Sequence, residues 1–224
     1  DGQRLLLKET ENEKDLGVWT SNTLKPISHV AHEVNTANRI LGLIRRTFTY
    51  LNGEIMKQLY TCLVRPHLEY GNVVWHPHYK KDIALLEAVQ HRATRMIPGM
   101  KDCTYEERLR QIKLPSLVYR RLRGDAIEVF KYMHGIYRVD SEDILPRHQN
   151  MSMETRGHCL KLQKRECKGQ LRANFFGLRV VNMWNALPES VVTSSIVNEF
   201  KGRFDRHYSS MCYNENTSEL RGDT

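Results

Sequence analysis

No stretch of this sequence approaches the unbroken run of about 18 apolar residues that a membrane-spanning helix needs. The start, Asp1-Gly2-Gln3-Arg4, has neither an initiator Met nor the layered charge and hydrophobicity of a secretory signal. Cysteine is scarce and odd in number: Cys62, Cys103, Cys159, Cys167 and Cys212 are irregularly spaced. That pattern argues against a disulfide framework and for reduced thiols, as in a cytoplasmic or nuclear protein. Also missing are an Asp-Asp pair flanked by apolar strand residues, a Gly-x-Ser-x-Gly elbow, a Gly-x-x-x-x-Gly-Lys-Ser/Thr phosphate loop and a His-Glu-x-x-His helix. The nearest acidic cluster, Asp140 to Asp143, sits beside Pro146 and reads as a solvated turn.

What is plentiful is positive charge. The 224 residues carry 34 Lys and Arg against 26 Asp and Glu, a net charge of +8, which favours a polyanionic partner and nucleic acid first among them. The hydrophobic pattern is helical. Val30, Val34, Ala37, Leu41, Ile44 and Phe48 recur at steps of three and four from about Ser28, leaving Arg39, Arg45 and Arg46 toward solvent. Asn52-Gly53 ends that helix, and a second runs through Leu59 to Pro66, which must kink or end it. Asp82 is expected to cap a third, with Ile83, Leu86, Val89, Ala93 and Ile97 inward and Arg92 and Arg95 outward. Thr104 to Glu107 has the capping-box pattern, and Ser116 opens a longer helix to Gly135. Before all of these, Leu5-Leu6-Leu7 and Leu16-Gly17-Val18-Trp19 read as two short strands joined by a polar turn.

From Arg138 to Arg172 the periodicity fails, and an extended loop with at most a short hairpin around Leu160 and Leu171 is expected. Its basic residues Arg156, Lys161, Lys164, Arg165 and Lys168 have nearly no acidic counterpart, which suits phosphate contact. Helices resume at Phe175–Leu187, with Val180, Val181 and Trp184 on one face, and from Ser195, with Phe200 and Phe204 inward. The Asn-Glu-Asn-Thr-Ser tail past Cys212 reads as disordered. His148, His158, Cys159 and Cys167 raise the question of zinc, but the two cysteines are too far apart for a knuckle. No metal or cofactor is assigned.

Short motifs follow one another along the chain: Glu13-Lys-Asp-Leu-Gly-Val18, Ala37-Asn-Arg-Ile-Leu-Gly42, Leu63-Val-Arg-Pro-His-Leu-Glu-Tyr70, Leu86-Glu-Ala-Val-Gln-His-Arg-Ala93, Thr104-Tyr-Glu-Glu-Arg-Leu109, Arg121-Leu-Arg-Gly-Asp125, Thr155-Arg-Gly-His158, Asn174-Phe-Phe176 and Val180-Val-Asn-Met-Trp-Asn-Ala-Leu-Pro188. Taken in order, from about Asp15 to Tyr208, they resemble the region downstream of the catalytic core in jockey-like LINE (non-LTR retrotransposon) reverse transcriptases. The resemblance implies a mainly α chain. Residues 1–25 would end the polymerase palm, 26–100 form a three-helix thumb-like bundle, 101–210 form a helical C-terminal extension and 211–224 form the disordered tail. It implies an RNA–DNA or DNA duplex as a sequence-nonspecific partner, with the upstream palm of the same polyprotein as a second.

The parent RNA-directed DNA polymerase would use Mg2+ through palm carboxylates that have no counterpart here, so no catalysis is expected of this chain alone. The nucleic-acid-binding residues expected are Arg39, Arg45, Arg46, Arg92, Arg95, Arg156, Lys161, Lys164, Arg165 and Lys168. A non-catalytic structural or protein-interaction module, or an inert relic of a transposable element, is the alternative.

Overall fold

The computed structural model describes residues 9–148 and 157–215. It is mainly helical with one two-stranded antiparallel hairpin at the start, the expected class. The hairpin is displaced from its expected position. Strand β1 is Asn12–Asp15, the polar stretch read as a turn, and β2 is Val18–Ser21, with Asp15 paired to Val18 and Asn12 to Ser21. Leu16 and Gly17 form the loop, both with positive φ (44° and 87°), the two-residue geometry whose twist matches that of the strands. Leu5 to Leu7 lie outside the described residues. Val18 is buried against the first helix and ties the hairpin to the body.

Helix α1 (Ile27–Thr47) buries Val30, Ala37, Leu41 and Ile44 as the spacing predicts, whereas Phe48, expected inside, is 40% exposed. Asn52 caps α2 (Gly53–Leu59) by accepting the Ile55 N–H at 2.8 Å. Pro66 does not end the second helix. A π turn, Tyr60–Val64, precedes it, with the Arg65 N–H reaching the Tyr60 carbonyl, and α3 (Arg65–Glu69) continues through the proline. Widening the hydrogen-bond register there takes up the disturbance that a missing donor and a bulky ring would cause in a regular helix.

The short α4 (Asn72–Trp75) follows Gly71, whose φ of 62° turns the chain. In α5 (Lys80–Arg95) the inward residues Ile83, Leu86, Val89 and Ala93 are buried as expected, and Ile97 just past its end is buried too. Its N-cap is Tyr79, not Asp82. Asp82 lies within the first turn, fully buried, and burial raises its carboxyl pKa.

The capping box at Thr104 and Glu107 is present on α6 (Tyr105–Ile112), and Ser116 caps α7 (Leu117–Met133), its Oγ accepting the Tyr119 N–H at 3.1 Å. The cores do not divide at residue 100. Tyr105, Leu109, Ile112 and Leu117 pack into the first core with α1, α3 and α5, and the second core begins at Tyr119. Polar contacts explain the join. The Tyr105 hydroxyl donates to Glu87 at 2.7 Å, and the buried Arg108 donates to Thr94 Oγ1 at 3.0 Å.

The second core gathers α7 with α9 (Phe176–Asn185) and α11 (Val197–His207). Between α7 and α9 an antiparallel bridge joins Arg147 to Leu162, and Leu162 is buried with the nearby Leu145. Leu171, expected in a hairpin, instead belongs to the exposed single turn α8 (Gln170–Ala173), and α10 (Glu189–Val192) precedes α11. Trp184 is fully buried and its indole donates to the Leu160 carbonyl at 2.7 Å. Gly177 is dictated by packing: a Cβ there would stand 2.1 Å from the Ile144 carbonyl oxygen. The expected tail disorder does not begin at residue 211. Ser209–Met211 form a 3-10 turn and the chain is held against the body through Glu215.

Candidate nucleic-acid interface

Helices α1 and α5 lie against each other, and both end in arginines. The last turn of α1 carries Arg45 and Arg46, and that of α5 carries Arg92 and Arg95. Cations at helix C-termini are favoured by the partial negative charge of the unpaired carbonyls there. Around these ends lies a groove of about 440 Å³ lined by Arg45, Thr49, Arg92, Arg95 and Lys101 over a floor of Leu51 and Met96, with no acidic residue in its wall among the described residues. Arg92 is hydrogen-bonded to Asn38 Oδ1, which sits seven residues before Arg45 and therefore on the same helix face. Asn38 thus sets the guanidinium across the seam between the helices.

Arg39 and Arg46 share a different face of α1, also a heptad apart. Both are exposed, and Arg39 donates to Thr36 Oγ1 at 3.1 Å. They flank the groove without lining it. Phe48, at its lip, and Tyr50 are 40% and 68% exposed, so flat apolar surface adjoins the cations. Lys101 escapes a reading of the sequence because it follows Pro98-Gly99, which marks only the end of a helix; the groove shows where the next residues return.

The loop cations are not brought into this groove. Arg165 donates to the Asp143 and Glu142 carbonyls at 3.2 and 3.4 Å, and with Lys164 it borders a second cavity of about 270 Å³ floored by Asp125, Arg179 and Asn182. Lys161 passes over Gly157, Lys168 is exposed, and Arg156 lies outside the described residues. The second cavity is organised by a buried pair. Arg179 Nε and Nη2 donate to the two Asp125 oxygens at 3.0 and 2.9 Å, and Nη2 also reaches the Val73 carbonyl at 3.0 Å. His76 Nδ1 stands 3.3 Å from Asp125 Oδ2. A bidentate Arg–carboxylate pair of this kind locks α7, α9 and the α4 turn together.

Of the aromatics that could stack on bases, Trp75, Phe176 and Trp184 are core residues, while Tyr70 and Phe175 are about half exposed. The Tyr70 hydroxyl donates to the Leu16 carbonyl at 2.7 Å, fastening the hairpin loop to the end of α3. Among the described residues no three His, Cys, Asp or Glu side chains converge as metal ligands, and no helix is long and apolar enough to cross a membrane. The Asp140 cluster is a turn closed by the Glu142 N–H on Asp140 Oδ1 at 3.0 Å.

An uncharacterized protein of Caenorhabditis elegans is 26% identical to this chain over 125 residues, 54% of the chain and 61% of that protein. The chain therefore spans less than two thirds of that relative's length. No family model and no solved structure matches the chain.

Proposed function

We propose that this chain is the helical portion downstream of the palm in a jockey-like LINE reverse transcriptase, and that its role is to hold a template–primer duplex by the phosphate backbone. The observation that carries the binding role is the groove in which Arg45, Arg92, Arg95 and Lys101 converge from α1, α5 and the turn beyond it, with no described acid in its wall. Arginines at helix ends can follow phosphates without reading base edges, which suits an enzyme that must accept any sequence. The ordered motifs support the family, and the helical body agrees with the architecture that the resemblance implies.

Fluorescence anisotropy on an RNA–DNA hybrid across a salt series tests the role. Binding should weaken steeply with salt, and Arg45→Ala, Arg92→Ala and Arg95→Ala together should flatten the log–log slope by up to about 3. Absence of binding by the wild-type chain at low salt would overturn the proposal.

A second reading rests on another surface. Between β2, α4 and α8 a cavity of about 410 Å³ is walled by Leu24, Val74, Leu171 and Phe175, all 46–76% exposed. Exposed apolar side chains gathered around one cavity suit a protein contact, and they favour an interaction module.

A further inference from the structure

The C-terminal strap ends in a cavity that Arg92 and Arg95 also line. Beyond the 3-10 turn the chain returns to the start of α7. There the Ser116 N–H donates to the Cys212 carbonyl at 3.0 Å and Ser116 Oγ donates to the Asn214 carbonyl at 2.7 Å. Tyr213, between them, packs on the first core. These fastenings deliver Glu215 to the exposed side of α5, where its carboxylate lies 2.9 Å from His91 Nε2.

His91 is held ready for such a contact. Its ring stacks on Tyr105, with centroids 3.5 Å apart and planes within 16°, and Tyr105 is in turn anchored to Glu87. The cavity around the carboxylate is lined by His91, Arg92 and Arg95 and by the buried Glu87, whose two oxygens already accept from the Tyr105 hydroxyl and the Val118 N–H. Arg92 and Arg95 also wall the groove at the end of α1, so they form a ridge with Glu215 on one side and Arg45 and Lys101 on the other.

We infer that His91, Arg92 and Arg95 form an anion site for a backbone phosphate of nucleic acid, and that Glu215 is its built-in competitor. The identity of the polyanion rests on the function proposed above; the competition does not. A carboxylate and a phosphodiester both seek hydrogen-bond donors with positive charge, and two anions cannot share one such cluster. A phosphate entering from the groove must therefore displace Glu215. Displacement costs little, because the Glu215 side chain is 49% exposed and an ion pair open to water is weak. The strap keeps its fastenings at Cys212 and Asn214 while the carboxylate swings away. A lone anion gains little from that exchange, whereas a duplex with contacts on both sides of the ridge drives it.

The test uses the full chain, with Glu215→Gln against a control, Glu11→Gln, on the exposed hairpin. Hybrid affinity at low salt should rise about two- to fivefold in Glu215→Gln, with a slope steeper by about 1, and stay unchanged in the control. Inorganic phosphate, followed by the His91 ring signals in NMR, should act at lower concentration in Glu215→Gln than in wild type. If wild type binds hybrid and Glu215→Gln matches it in affinity and in phosphate titration, the competitor role is wrong and the proposed function stands. If neither binds hybrid, the proposed function falls. The phosphate titration then decides alone: a midpoint at lower phosphate concentration in Glu215→Gln upholds the anion site, and superimposed curves overturn it.

Discussion

The two cores of this chain hold matching ornaments and opposite surfaces. Each buries a histidine against a tryptophan. His29 meets Trp75 edge-on at 4.7 Å, and His158 meets Trp184 edge-on at 6.0 Å. Both rings are inside and both have lowered pKa values, chiefly because burial opposes the charged form. The arginines differ. On the first half, Arg65 pairs with Glu69 and Arg110 with Glu106, while Arg45, Arg46 and Arg95 around the groove have no ion pair with any described acid. On the second half, three guanidiniums are committed: Arg179 to Asp125, Arg123 to Asp205 by two bonds of 2.6 and 2.9 Å, and Arg203 to Glu199 at 2.6 Å. Asp205, despite a burial that acts against it, is held below the usual carboxylate range by Arg123 and Tyr119. A net charge counts cations; which of them can meet a phosphate depends on what each already holds.

The sharpest way to break this contrast is Asp125→Ala. It would leave Arg179 nearly buried without its counter-charge, which should cost about 3–5 kcal/mol. Urea melts check it, and a loss below about 1 kcal/mol would show the pair to be incidental. Trp184→Ala should cost a similar amount, about 3–5 kcal/mol, as removal of a large core aromatic.

Next comes pH. His29 in the unfolded chain takes up a proton near 6.5, while in the fold burial and the neighbouring His32 push it down to about 4. Unfolding therefore binds protons in that window, and stability present above pH 6.5 is lost as pH falls toward 4, by up to about 3 kcal/mol. In the fold His29 Nδ1 accepts the Trp19 N–H at 3.3 Å, so His29→Gln keeps an acceptor without a titrating ring. Thermal melts from pH 7 to pH 4.5 should be flatter in that variant; an unchanged pH profile would remove His29 from the account.

Two smaller effects sharpen the surface comparison. Replacing Lys161, Lys164, Arg165 and Lys168 together by Ala should flatten the salt slope by under about 1, against up to about 3 for the α1–α5 triple variant. Equal slopes would mean that the loop shares the duplex after all. Lys101→Ala should flatten it by at most about 1, with unchanged melting.

Much of the fold was legible because it is written in local signals. The three- and four-residue steps of α1, α5 and α9, the Thr104–Glu107 box and the Ser116 cap all act within a few residues of themselves. The hairpin was misplaced because an all-polar strand, Asn12–Asp15, gives no alternation to read, and Asp82 resembles a cap by type alone. The groove was half legible. Helical spacing exposes Arg39, Arg45, Arg46, Arg92 and Arg95 one helix at a time, but only the packing of α1 on α5 selects Arg45, Arg92 and Arg95 and adds Lys101. The strap was illegible for a related reason. Its polar composition looks unfolded, and what holds it is backbone carbonyls on a serine about a hundred residues away in sequence, a contact that composition cannot carry.

The π turn before Pro66 has a consequence for how this helix keeps count. Met56, Tyr60, Val64 and Leu68 are all buried, and they stand at a strict interval of four. In a regular α-helix each step of four drifts by roughly 40°, so four such residues would wind off any one face. One wider turn in the middle swings the stripe back, and the proline sits where that correction has just been made. Deleting a single residue between Tyr60 and Val64 would preserve the composition, the hydrophobicity and the proline. It would rephase everything downstream by roughly 100°, carrying Leu68 out of the core.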